Sequence, residues 1–116
     1  MVTKIVGLNE YQQRALETWL FHSTENGYNI VYSTLGLSGE SGEVAEKVKK
    51  VLRDHKGEFT DDLRKSIALE ISDVLWYASV LAHELGFSLQ EIAEMNYEKL
   101  LSRRLRGKIH GDGDNR

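Results

Sequence analysis

Apolar residues recur along nearly the whole chain at intervals of three and four, the spacing of one face of an α-helix. Leu8, Tyr11, Ala15, Trp19 and Leu20 form the first such stripe, with Asn9 placed to cap it. The segment "TENGYN" (Thr24 to Asn29) then breaks the pattern with an Asn-Gly step, a turn signal. A second helix is predicted from about Val31 to Arg53, with Val44, Val48, Val51 and Leu52 on its apolar side, and "DHKGEFT" ends it at Gly57. Thr60, followed by Asp61 and Asp62, suits the start of a third helix, because acids there favour the positive end of the helix dipole. That helix runs through "LRKSIALEISDVLWYASVLAHEL" and stops at Gly86. Ser88 and Glu91 make a capping-box pattern that opens a fourth, lasting to about Arg104. No proline interrupts any of them, and the fold expected is an all-α four-helix bundle.

The second helix contains a costly run, "GLSGESGEVAEKVKK" (Gly36 to Lys50). Gly36, Gly39 and Gly42 each cost about 1 kcal/mol relative to alanine inside a helix. Small residues there would let a neighbouring helix or a ligand phosphate approach the backbone. Glu40 and Glu43, three apart, lie on one face. Glu46 is turned further round, facing outward, where it can pair with Lys50. The third helix repeats the acidic pair with Glu70 and Asp73, inside the apolar stretch "IALEISDVLWYASVLA". Charges in such surroundings are costly to bury unless they are paired or hold a cation. Two such pairs on two helices can converge into an oxygen-only ligand set that suits Mg²⁺, with Mn²⁺ as a substitute. A single E-x-x-E is also the ordinary pattern of a solvated helix face.

Composition narrows the partners. The chain has 116 residues, 41% hydrophobic and 28% charged, as expected of one globular domain. Its net charge of −3, with basic and acidic residues alternating, offers no basic face for a nucleic-acid polymer. Cysteine is absent, which excludes disulfides and thiolate zinc sites. The start "MVTKIVGLNEYQ" has no signal-peptide core and no apolar run reaches membrane length, so a cytoplasmic location without membrane contact is expected.

"E-S-G-E" (Glu40 to Glu43) and "E-I-S-D" (Glu70 to Asp73), with their flanks "LGLSGESGEVAEKVKK" and "ISDVLWYASVLAHELGFSLQEIAEMNYEKLLSR", resemble the E-x-x-E…E-x-x-D signature of the MazG-like all-α nucleoside triphosphate pyrophosphohydrolases. The similarity runs from about Leu8 to Arg106, so residues 1–106 read as the domain and 107–116 as a Gly/Asp-rich tail. The resemblance implies hydrolysis of a (deoxy)nucleoside triphosphate to the monophosphate and pyrophosphate. It implies Mg²⁺ held by Glu40, Glu43, Glu70 and Asp73, and phosphate contacts from Asn96, Lys99 and Arg103 in "NYEKLLSR". It further favours a dimer, often doubled to a tetramer, which completes the bundle. Asn96, Lys99 and Arg103 do share one stripe of the fourth helix, and four carboxylates beside a triphosphate leave a deficit of positive charge that such cations reduce. The plainer account of Lys99 and Arg103 is a cationic helix end that suits the dipole.

Glu43 is taken as the general base; Gly39 stands where some members of the family carry an extra acid. Tyr77, four after Asp73, and Trp19 are candidates for a base pocket, although tryptophan and tyrosine more often serve as core or interface residues. His22, His55, His83 and His110 have no metal-ligand spacing, and the lack of E-x-x-H counts against a di-iron site. The rival class is a non-catalytic helical assembly module whose acids pair with Lys and Arg. The tail is expected either to remain a polar end or to fold over a bound triphosphate as a lid, in which case truncation after Gly107 would raise KM.

Overall fold

Local punctuation sets most of the helix ends. In a computed structural model that describes residues 3–116, four helices follow one another: α1 (Gly7–Glu17), α2 (Tyr28–His55), α3 (Asp61–Glu84) and α4 (Leu89–Leu105), with no strand among the described residues. The Thr60 hydroxyl accepts the Leu63 N–H at 3.3 Å and starts α3. At α4 both bonds of the capping box form, Glu91 N–H to Ser88 Oγ at 3.0 Å and Ser88 N–H to Glu91 Oε1 at 3.1 Å. Between α2 and α3 the chain turns through Lys56 and Gly57, whose φ angles of 55° and 75° are left-handed, so the break expected at Gly57 is present.

Other expectations need correction. Asn9 does not cap α1, which begins two residues earlier; its side-chain oxygen accepts the Gln90 N–H at 3.2 Å and ties α1 to the start of α4. The first stripe does not stay helical to Leu20. Its helix ends at Glu17, leaving Trp19 buried beyond the end and Leu20 exposed. Helix α2 starts at Tyr28 rather than Val31, because Gly27 turns the chain at φ 78° directly before it. Glu46 does face outward, but it pairs with Lys49, at 2.9 Å, instead of Lys50.

Packing departs from a closed bundle. Helices α2 and α3 form a long antiparallel hairpin, while α1 and α4 pack on α3 and on each other, and neither packs on α2. Gln12, buried, locks that arrangement: its amide donates to the Ser79 carbonyl at 3.0 Å and the Phe87 carbonyl at 3.2 Å, and its oxygen accepts the Leu89 N–H at 3.0 Å. A buried amide with all these partners costs little and fixes the orientation of three helices. Trp76 adds a second tie, donating its indole N–H to Thr18 Oγ1 at 2.8 Å. The radius of gyration is 17.1 Å, against about 13 Å for a compact domain of this length. The open side of the hairpin leaves apolar side chains in water, among them Leu35 at 67% and Leu69 at 59% exposure.

Candidate metal centre

The hairpin register brings the acids together. A five-residue connection joins α2 to α3 and turns them antiparallel, so each step back along α2 meets a step forward along α3. Gly36 faces Tyr77, Glu40 faces Asp73 one turn on, and Lys47 faces Ser66 two turns further. At the Gly36 position the Tyr77 ring lies against the α2 backbone, where any Cβ would overlap it. Only glycine allows that contact. A Cβ at Gly39 or Gly42 would meet nothing, so these two open the surface beside the acids rather than admit another helix of this chain.

Glu40, Glu70 and Asp73 each offer a carboxylate oxygen within 4.8 Å of the others. Glu40 and Glu70 are half-buried and Asp73 is exposed. Burial, and then the neighbouring charges of Asp73, Glu70 and Glu43, push the Glu40 carboxyl above its ordinary value. Glu43 is exposed and outside this group of three, one turn along α2, and acts on it through its charge. The donor set is oxygen-only, crowded with like charge and open to solvent on one side, which fits a hard divalent cation.

Lys47 and Tyr11, not singled out as site residues from the sequence, border this cluster, as does Tyr77, the base-pocket candidate. The Lys47 ammonium donates to Ser66 Oγ at 2.6 Å and lies 3.4 Å from Glu70 Oε1, an internal counter-ion on the side away from Tyr77. Tyr11, on α1, has its hydroxyl held above the usual value by burial and by Asp73. Tyr77 is raised likewise, by burial first, then by Tyr32 and by Glu40 and Asp73. Lys47 follows Glu43 by four, a spacing that usually signals only a surface pair.

Trp19 does not line the site. It is 3% exposed and packs among Phe21, His22, Tyr32 and Trp76, with ring centroids 5.7 to 5.9 Å away. The accessible aromatic face beside it is Phe21 stacked on Tyr32, centroids 4.1 Å apart. With Tyr28, Val31 and Leu35 these two line an apolar cavity of about 260 Å³.

Asn96 is exposed on α4, Lys99 is partly exposed and Arg103 is buried. No hydrogen bond or ion pair joins the three to the acid cluster among the described residues; Lys99 and Arg103 hold Asp114 of the tail instead. The structure thus unites Glu40, Glu70 and Asp73, keeps Glu43 beside them, and sets the cations of α4 apart.

The family model of the MazG nucleotide pyrophosphohydrolase domain matches residues 32–106, a span that begins in α2 and takes in the acid cluster and the stripe of α4. The chain belongs to this family. The Gene 37 protein of Mycobacterium phage L5 is 48% identical over 87 residues, covering 75% of this chain and 76% of the phage protein. No solved structure matches the chain. Membership accounts for an all-α chain and places it among the nucleotide pyrophosphohydrolases. Among the described residues, no helix is long and apolar enough to cross a membrane.

Proposed function

We propose that this chain hydrolyses nucleoside or deoxynucleoside triphosphates to the monophosphate and pyrophosphate in a Mg²⁺-dependent reaction. The observation that carries the reading is the convergence of Glu40, Glu70 and Asp73 within 4.8 Å, on two helices inside the span that matches the MazG domain. These three, with Glu43 at the edge, would hold the cation, with Mn²⁺ able to replace Mg²⁺. The bound ion would supply charge neutralisation of the phosphate oxygens and lower the pKa of the attacking water.

The rest of the mechanism belongs to the chain. Glu43, exposed and without an ion-pair partner among the described residues, is the proposed general base, taking a proton from the water that attacks the α-phosphorus. As the bond to the bridging oxygen breaks, pyrophosphate leaves toward Asn96, Lys99 and Arg103, whose donors suit phosphate oxygens. Lys47 keeps the Glu70 carboxylate turned into the cluster. On the other side Tyr77, Tyr32 and Phe21 offer flat apolar faces for a base, a role that fits them better than buried Trp19.

Assembly belongs to the same reading. The uncovered apolar face of α2 (Tyr28, Val31, Tyr32, Leu35) and the separation of α4 from α2 support a dimer or tetramer in which a second copy completes each bundle. Light scattering at micromolar protein should give two or four chains. Nucleotide-pool housekeeping in the cytoplasm is the biological role this chemistry fits. The decisive experiment is pyrophosphate release from a panel of ribo- and deoxyribonucleoside triphosphates with Mg²⁺, and with EDTA as control. Release that requires Mg²⁺ supports the enzyme. None with any triphosphate leaves the helical assembly module as the reading.

A further inference from the structure

The C-terminal tail is tied down by two arginines, Arg116 within it and Arg106 at the end of α4. Arg116 donates to the carbonyls of Lys108 at 3.2 Å, Ile109 at 2.9 Å and Gly113 at 2.7 Å, and Arg106 donates to the Arg116 main-chain oxygen at 2.6 Å. Gly113, at φ 81°, makes the turn that then presents Asp114 to α4. There Asp114 Oδ1 lies 3.0 Å from Lys99 Nζ and 3.1 Å from Arg103 Nη2. The same Nη2 also donates to the Asp114 carbonyl at 3.0 Å and the Gly113 carbonyl at 3.4 Å.

This arrangement satisfies Arg103 badly. Three acceptors crowd one nitrogen of the guanidinium, while its Nε is buried without any partner among the described residues. Arg103 is only 4% exposed, so water does not serve that nitrogen freely. A phosphate group carries oxygens at the spacing of the guanidinium fork and bonds Nε and a terminal nitrogen together. The tail has no second oxygen on Nε, and a phosphate does.

We propose that Lys99 and Arg103 form an anion site that Asp114 holds shut in the free protein, and that the phosphates of a nucleotide open it by displacing Asp114. The inference rests on the assignment of these two cations to phosphate, and goes beyond it by making the tail a competitor of the substrate. It reverses the sign expected of a lid. A latch closed nine-tenths of the time weakens apparent binding about tenfold, because only the open fraction is competent.

The test compares the full chain with Asp114→Asn and with a truncation after Gly107. Binding of inorganic triphosphate is measured by calorimetry in EDTA, which isolates the cations from the metal centre, and KM and kcat are measured with Mg²⁺ and nucleotide. Both variants should bind triphosphate about tenfold more tightly and show a lower KM with kcat undiminished. Weaker binding in both overturns the proposal in favour of a lid that grips the anion. Equal binding in all three proteins, abolished by Lys99→Met in each, removes the latch but leaves the phosphate assignment standing. If none binds triphosphate, the assignment and the latch fall together, whereas Mg²⁺-dependent turnover would still report on the acids.

Discussion

The hairpin of α2 and α3 assembles its chemistry within one chain, whereas α4 carries its cations on a helix whose hydrogen bonds to the other helices sit at Leu89 and Gln90. Both regions present charged residues at helical spacing, and both match the same family domain. What differs is the constraint. A short connection fixes the register of α2 against α3, so Glu40 must face Asp73 once Gly36 faces Tyr77. Nothing comparable directs Lys99 and Arg103, which take the nearest available anion, Asp114. Local sequence spacing produces a site only where the tertiary register is also fixed.

Removing one acid should break the hairpin half most severely. Asp73→Asn is expected to lower pyrophosphate release at least ~100-fold, as loss of a ligand or base does, with helical content and oligomeric state unchanged. Wild-type turnover in that variant would remove the acid cluster from the reaction. The α4 half should respond differently. Lys99→Met is expected to cost about 10- to 100-fold in kcat/KM, the range for one charge-assisted hydrogen bond, mostly through KM. Mn²⁺ binding measured by calorimetry should not change. If it weakens in parallel, α4 shares the metal centre directly and the two halves are one.

The same contrast explains what could be read from residues alone. Thr60, Ser88 with Glu91, and Gly57 act over a single turn, so their signals survive into the structure. Asn9 carries an equally good capping signal and is diverted across the fold to Gln90, because α4 arrives beside it. Pairing of Lys47 with Ser66 and Glu70 depends on which residues stand opposite across the hairpin, information that spacing on one helix does not contain. Trp19 fits a helical stripe by count, yet the helix has ended before it. The acidic motif was legible because both of its pairs are local and its two helices are neighbours. The four helices were legible too, but not how they pack, because α1 and α4 settle on α3 and leave an apolar face of α2 uncovered.

Glycine substitutions sharpen the comparison within α2 itself. Gly36→Ala drives a methyl into the Tyr77 ring and should destabilise the protein by about 1 to 3 kcal/mol, the usual range for overpacking. Gly42→Ala meets open space and should stabilise the isolated chain by up to about 1 kcal/mol through helix propensity. Thermal melts of both variants decide the point. If Gly42→Ala also destabilises, a surface outside this chain, such as a second copy, packs on that face.

The smallest effect concerns the strain that like charge places on the metal-free hairpin. Burial and then Asp73, Glu70 and Glu43 raise the Glu40 pKa above its reference of 4.5, so the folded state holds this proton more tightly than the unfolded state. Where the native state binds more protons, stability falls as pH rises. The loss therefore begins near the ordinary carboxylate value and is complete once the pH passes the raised one. At neutral pH the metal-free protein bears the full cost, and a divalent cation removes it by giving the carboxylates a shared partner. Glu40→Gln deletes the charge, so in EDTA at pH 7 its melting temperature should lie above that of the wild type. The gap should close as the pH falls below the reference value of 4.5, where Glu40 becomes protonated in both states. With Mg²⁺ the order should invert, because only the wild type gains the ligand. Melts in EDTA and in Mg²⁺ across this range test the sequence of effects. A wild type that is the more stable protein in EDTA at pH 7 would mean that Lys47 already neutralises the cluster and that the acids are a salt-bridged surface.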